Sequence, residues 1–218
     1  MGKPCLDMSL YAITDAEAMK RSDFPDRLRA MLENGVTLVQ LRDKEGSVRE
    51  RLARARWIKA ICDEYDVPLL IDDRVDIALG TDAAGVHVGA EDMPVALARR
   101  LLGPDKIVGA TAKTVERAIE AERDGADYIG TGAIYPTATK VVTKLTGVET
   151  LKQICRSVSI PVNAIGGLTA ENIDILQDSG ISGICVVGAL MRTESPGEAA
   201  RRLRGKLAQL RIGRRASL

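Results

Sequence analysis

The sequence predicts an α/β protein, a single (βα)8 TIM barrel with short loops occupying residues 1–218. Three observations point there. Apolar runs alternate with amphipathic stretches along the whole chain. Near-continuous apolar strands separated by helices indicate a parallel sheet covered on both faces. About eight such pairs fit the chain, which is the repeat number of a compact barrel. No linker interrupts the alternation, so one domain is expected. An open doubly wound sheet is the runner-up, and it usually has fewer strands.

Each element has its own signal. Residues 9–13 (SLYAI) read as the first strand, ending at Thr14 and Asp15. Residues 24–34 read as a helix stopped at Asn34-Gly35, followed by a strand over 36–42 (VTLVQLR). Residues 47–65 carry Leu52, Ala55, Ile58 and Cys62 at helical spacing. Residues 68–71 form a short buried strand and 74–79 a short helix. The pattern recurs as strand 85–88 and helix 94–102, with Pro94 in the first turn, where a missing N–H costs little. Strand 106–110 precedes helix 115–124, closed by Gly125. Strand 127–130 precedes an unusually long segment reaching about Thr146. Helix 147–157 leads to strand 161–165. Thr169 is placed to cap a helix running to Asp178 and stopping at Gly180. Strand 183–187 and helix 195–210 complete the set, with frayed, flexible ends near 1–7 and 212–218.

Composition narrows the function classes. With 45 % hydrophobic and 28 % charged residues the chain is globular rather than disordered. Thirty-one basic against 30 acidic residues leave a net charge of +1, so no global field marks a nucleic-acid partner. One Trp, four Tyr and one Phe require an aliphatic core and leave no base-stacking platform. The cysteines Cys5, Cys62, Cys155 and Cys185 form no CxxC pair, which argues against zinc and for a reducing, cytoplasmic compartment. Cys185 reads as a small core residue, and Trp57 as packing. No stretch reaches the about 18 apolar residues that signal a membrane span. The basic residues between Arg201 and Arg215 read as a solvated helix face. His87 reads as structural, near enough to the mouth for a contact. The oligomeric state is not legible.

Barrel sites are built on the C-terminal ends of the strands. Gln40, Arg42 and Lys44 lie at i, i+2 and i+4 and share one face of an extended segment. An interior that turns basic at its mouth is suited to an anion; the competing reading pairs Arg42 with a neighbouring carboxylate. The third and fourth strands end near Asp72, Asp73 and Asp92. Asp73 and Asp92 suit a magnesium ion shared with phosphate oxygens, and the competing reading makes both helix caps. Residues 130–140 (GTGAIYPTATK) bring glycines, hydroxyls and one lysine to a long loop fit to wrap phosphate. Gly166-Gly167 and Val187-Gly188 follow the seventh and eighth strands, the usual phosphate-binding place in barrels.

Together these motifs resemble the thiamine-phosphate synthase (thiamine-phosphate pyrophosphorylase) family. The resemblance runs from 10–15 (LYAITD) through 39–44 (VQLRDK), 70–78 (LIDDRVDIA), 85–89 (GVHVG), 125–130 (GADYIG), 136–140 (PTATK) and 164–167 (AIGG) to 183–188 (GICVVG). It implies magnesium-dependent transfer of a hydroxymethylpyrimidine group from its diphosphate to the nitrogen of a thiazole phosphate. Diphosphate leaves first, in a dissociative reaction that needs no protein nucleophile. The implied partners are these two small molecules, with no nucleic acid and no membrane. The implied pyrimidine-diphosphate contacts are Gln40, Leu41, Arg42, Asp43 and Lys44, with Asp72, Thr111 and Lys140. Arg42, Lys44 and Lys140 would stabilise the departing charge. Asp73 and Asp92 would hold the metal. Thr137, Thr139, Gly167, Val187 and Gly188 would hold the thiazole phosphate, and Ala138 would be a further substrate contact.

Four positions depart from the family pattern. Asp72 replaces a usual Asn and loses a donor, and Thr111 replaces Ser. Lys113 stands where His is common, and Gly188 replaces Ser. A sister family of thiazole tautomerases, or a non-catalytic phosphate-ligand sensor, remain the alternatives.

Overall fold

A computed structural model describes residues 6–137 and 145–213. Eight parallel strands close into a barrel in sequential order. They are β1 (Leu10–Ile13), β2 (Leu38–Leu41), β3 (Leu69–Asp72), β4 (Gly85–Val88), β5 (Ile107–Thr111), β6 (Tyr128–Gly132), β7 (Val162–Ile165) and β8 (Gly183–Val186). The seam between first and last strands is a regular parallel pair, with Tyr11 opposite Cys185.

Alternation along each strand divides the core in two. Outward residues such as Val39, Leu41, Ile71, Val86, Val108, Ile129 and Ile184 pack beneath the helices. Inward residues Tyr11, Leu38, Leu70, Ile107, Tyr128 and Cys185 fill the barrel floor. Four- and five-residue strands suffice because helices cover their outer face and the ring leaves no edge.

The helices are α1 (Ala16–Met19), α2 (Phe24–Glu33), α3 (Val48–Asp63), α4 (Val75–Gly80), α5 (Val95–Leu102), α6 (Val115–Arg123), α7 (Val148–Ser157), α8 (Gly188–Met191) and α9 (Pro196–Gln209). Local chemistry sets their starts. Ser47 and Glu50 form a reciprocal capping box at α3, worth about 1 kcal/mol for such a cap. Thr114 accepts from the Arg117 N–H at α6. At α1, Asp15 accepts from the Ala18 N–H at 2.8 Å while its other oxygen takes Arg192 Nε at 3.0 Å. That buried carboxylate fastens the first loop to the segment after α8. Gly213, with φ +80°, lies against Ser9 on the opposite face of the barrel.

The long helix expected from Thr169 to Asp178 does not form. A single 3₁₀ turn, Ile173–Leu176, takes its place. The Asn172 side chain accepts from the Thr169 N–H and donates to the Gly167 carbonyl, at 2.9 and 2.8 Å. These bonds hold the backbone in a loop and delay the helix start. Ile173 and Leu176 still bury one face of the turn completely. The sequence reading also missed α1 and α8. Both are four residues long, below the length at which periodicity is legible.

Of the basic residues read as a solvated helix face, Arg211 follows the end of α9, and Arg214 and Arg215 lie outside the described residues. On α9, Arg202 pairs with Glu171, and Lys206 with Asp174 at 2.7 Å. Trp57 packs its ring on Phe24, with centroids 5.7 Å apart, while staying 38 % exposed. Cys62 and Cys185 are buried free thiols, both pushed up to about 12 by burial. Among the described residues no helix is long and apolar enough to cross a membrane.

Candidate active site

The ends of β2, β3 and β4 bring opposite charges together at the mouth of the barrel. Lys44 Nζ lies 2.9 Å from Asp72 Oδ2 and also contacts the Asp73 carboxylate. Successive residues of an extended strand face opposite sides. Asp73 breaks that rule because its backbone is left-handed, with φ +60°. An aspartate tolerates this region better than most residues. The turn is fixed by the Asp73 N–H donating to the His87 carbonyl at 2.8 Å, and two adjacent carboxylates thereby reach one ammonium.

Arg42 Nε is 3.8 Å from Asp72 Oδ2, the carboxylate pairing that competes with an anion role. Its own N–H donates to Thr14 Oγ1 at 3.0 Å, which fixes the loop beneath it. Burial pushes the Asp72 carboxyl above the usual carboxylate range against the pull of Lys44 and Arg42. Burial works to lower the Lys44 ammonium, but its bonds to Asp73 and Asp72 outweigh this and hold it above its ordinary value.

Asp92 stands beside Asp73. Burial and the shared contact with Asp73 raise its carboxyl. Its Oδ2 accepts from the Gly89 N–H at 2.9 Å, which aims it back at the mouth. Neither carboxylate caps a helix. The residues at the cap positions of α4 and α5 are Arg74 and Pro94, and neither start has a side-chain cap bond. Two crowded carboxylates are the donor set a hard dication relieves, with phosphate and water completing its shell.

Below this cluster the interior carries a continuous chain of polar groups. Gln40 Nε2 donates to Tyr11 Oη at 2.6 Å. Tyr11 Oη lies 2.9 Å from Tyr128 Oη, which lies 2.9 Å from His87 Nδ1. His87 Nε2 lies 2.9 Å from Thr111 Oγ1. Two glycines make room for these rings. A Cβ on Gly109 would overlap the Tyr128 ring, and one on Gly130 would press on His87 Cε1 at 3.2 Å. Burial lowers the His87 imidazole to about 4, so it is neutral near pH 7. Burial likewise raises both tyrosines well above their ordinary value.

The comparisons with known proteins agree along the whole barrel. The profile of the family described as thiamine monophosphate synthase matches residues 10–190. The chain belongs to this family. It is 50 % identical over 187 residues to thiamine-phosphate synthase 2 of Streptococcus pneumoniae serotype 4, covering 86 % of this chain and 89 % of that protein. It is 44 % identical over 200 residues to the thiamine-phosphate synthase of Clostridium tetani, covering 92 % and 96 %. The solved thiamine phosphate pyrophosphorylase from Pyrococcus furiosus superposes with a TM-score of 0.84 at 38 % identity, covering 94 % of this chain and 97 % of that one. As a member of the thiamine monophosphate synthase family, the protein is a transferase.

Within this family fold the residues singled out in the sequence have distinct placements. Gln40, Arg42, Lys44, Asp72, Asp73, Asp92 and Thr111 gather around the mouth between β2 and β5. Leu41 points outward into the helix-facing core. The Asp43 carboxylate closes its own loop, accepting from the Gly46 N–H at 2.9 Å and from Arg54 at 2.5 Å. Gly167, with φ +64°, packs against the Tyr135–Pro136 backbone, where a Cβ would collide. Val187 leads into α8, and a Cβ on Gly188 at its start would meet nothing within 4 Å. Ala138, Thr139 and Lys140 lie outside the described residues; Thr137 is the last residue before that gap.

Sequence reasoning gave His87 a structural reading with a contact near the mouth, and did not single out Tyr11 or Tyr128. The available signal was the inward register of both tyrosines together with the small inward residues Gly109 and Gly130 across the floor.

Proposed function

We propose that this protein joins a hydroxymethylpyrimidine diphosphate to a thiazole phosphate, forming thiamine phosphate and releasing diphosphate with magnesium present. The observation that carries this reading is the Lys44–Asp72–Asp73 cluster with Asp92 beside it, set on the mouth of a barrel of this family.

Asp73 and Asp92 would hold the magnesium, and the bound ion would neutralise charge on the leaving diphosphate. Lys44 and Arg42 supply the fixed cations of the same wall. When diphosphate enters, their donors turn from Asp72 to its oxygens, and Lys140 would add a third cation. Breaking the methylene–oxygen bond moves its electron pair to diphosphate, where these donors stabilise it. The thiazole nitrogen then forms the new carbon–nitrogen bond. Gln40 and Thr111 orient the pyrimidine diphosphate from inside the barrel. Thr137, Thr139, Gly167, Val187 and Gly188 would hold the thiazole phosphate, with Gly167 following β7 and Gly188 following β8. The Leu41 and Asp43 side chains are turned to the helix-facing core and to the Asp43 loop, which leaves their backbone for a substrate contact. The thiazole nitrogen is itself the nucleophile, so no protein nucleophile is needed, and holding the two rings aligned provides the advantage. The free thiols Cys62, Cys155 and Cys185 suit a reducing cytoplasm.

The test is diphosphate release from the pyrimidine diphosphate, with and without thiazole phosphate and with and without magnesium. Release requiring both, with thiamine phosphate formed, is the expected result. No release by folded protein overturns the reading. Lys140→Ala slows the single-turnover rate if the lysine assists departure, and an unchanged rate removes it from that role.

A further inference from the structure

We propose that His87 is a positioning residue, which turns the Thr111 hydroxyl into a hydrogen-bond donor at the mouth through a one-way chain of bonds starting at Gln40.

A tyrosine or threonine hydroxyl carries one hydrogen, and a neutral imidazole carries one across its two nitrogens. Tyr11 is fully buried, so its hydrogen cannot go unpaired without cost, and the direction of the first bond then decides all the others. Gln40 Nε2 can only donate, and it meets Tyr11 Oη at 2.6 Å. Tyr11, having accepted, gives its hydrogen to Tyr128 across 2.9 Å. Tyr128 gives its hydrogen to His87 Nδ1, also across 2.9 Å. His87 must then carry its hydrogen on Nε2, and it gives that to Thr111 Oγ1. Thr111 ends the chain as an acceptor whose own hydrogen is offered onward. It is the last residue of β5, half-buried on the inward face at the mouth.

Both ring nitrogens of His87 meet hydroxyls; among the described residues no carboxylate is hydrogen-bonded to the ring, and burial outweighs the charge of Asp92 nearby. The neutral state, which the burial of the ring also favours, gives the chain its polarity. The two ends present complementary faces to one ligand. Gln40 offers the carbonyl oxygen of its amide, an acceptor, while Thr111 offers a donor. A ligand with an amino group on one side and an acceptor on the other fits this pair, and its mirror arrangement does not. A reversed chain would need the Gln40 amide turned over and the histidine hydrogen moved to Nδ1. The polarity is thus a property of the whole chain.

His87 is the sole histidine of the protein, so ¹⁵N-histidine labelling yields the two ring resonances of this residue alone. The expected spectrum of the full-length protein at pH 7 shows a protonated Nε2 and an unprotonated Nδ1. A protonated Nδ1 with a bare Nε2, or a doubly protonated ring, overturns the proposal. This readout needs no substrate and stands apart from the reading of Gln40 and Thr111 as substrate contacts, on which the functional half of the proposal rests.

Kinetics test that half. In His87→Gln the amide nitrogen reaches the place of Nε2 and keeps the donor to Thr111. In His87→Asn the amide reaches only the place of Nδ1, and Thr111 loses its donor. With pyrimidine diphosphate as the varied substrate, kcat/KM is expected to fall about tenfold in His87→Asn and to stay within about threefold in His87→Gln. In a Thr111→Val background, His87→Asn is expected to add no further loss. Equal damage by both substitutions, or full additivity with Thr111→Val, overturns the positioning role. Absence of turnover in the wild type overturns the proposed reaction and leaves the spectrum to decide the polarity of the chain.

Discussion

Lys44 and Asp72 meet at 2.9 Å on the rim of the barrel, at a carboxylate that is 11 % exposed. The pairing occupies the cation expected to bind diphosphate, so ligand binding must first break it. Asp72→Asn removes the competing charge and adds a donor. The KM for pyrimidine diphosphate is expected to fall about 3- to 10-fold, because charge-assisted bonds to a carboxylate are about twice as strong as neutral ones. Steady-state kinetics check this, and an increased KM would show that the Asp72 carboxylate itself serves the substrate.

Asp92→Ala removes one of two crowded carboxylates, the one that burial and then its contact with Asp73 raise. Magnesium-dependent turnover is expected to drop by about 100-fold or more, the scale of losing a metal's electrostatic assistance. The melting temperature should hold or rise slightly, since a like-charge contact is relieved. Near-normal turnover at saturating magnesium would exclude Asp92 as a ligand.

Asp43 serves its loop. Burial works against its charge, but the Gly46 and Glu45 N–H groups and Arg54 outweigh it and hold the carboxyl below its ordinary value. A group with a depressed folded pKa stabilises the fold above its unfolded pKa and ceases to do so as pH falls through the folded one. Asp43→Asn should therefore lower stability at neutral pH. It should also flatten the decline in stability below about pH 4, near the unfolded carboxylate value. Urea unfolding followed between neutral and acidic pH checks both.

Gly109→Ala places a methyl group where the Tyr128 ring lies. Backbone on β4 and β6 flanks the site, so the ring must move. A loss of about 1–3 kcal/mol is expected from such overpacking. The two ¹⁵N resonances of His87 should shift as its Nδ1 partner is displaced. An unperturbed spectrum would mean that the floor of the barrel yields more readily than its packing implies.

The barrel was legible because its signals are local. Short apolar runs such as those around Val39 and Val108 alternate with amphipathic helices, and strand ends can be read for charged residues. The loop at 169–178 was misread because Asn172 competes with a helix through its side chain, a three-dimensional choice between two satisfactory sets of bonds. Lys44 and Asp73 were legible as charges but had been given separate tasks. Their contact depends on the left-handed turn at Asp73, which no periodicity announces. Tyr11 and Tyr128 are 117 residues apart and meet only when the ring of strands closes. Small inward residues at 109 and 130 were the trace of that meeting in the sequence.

The contact of Gly213 with Ser9 has an architectural consequence. The two ends of the barrel-forming sequence arrive side by side on the face away from the mouth. A ring of parallel strands has no intrinsic first member. A short bridge from residue 213 to residue 9, with a new opening at the turn around Pro104, would renumber the strands without moving the wall that carries Lys44, Asp72 and Asp73. Where synthesis starts would then be an accident of gene order, while the circuit of the strands carries the chemistry.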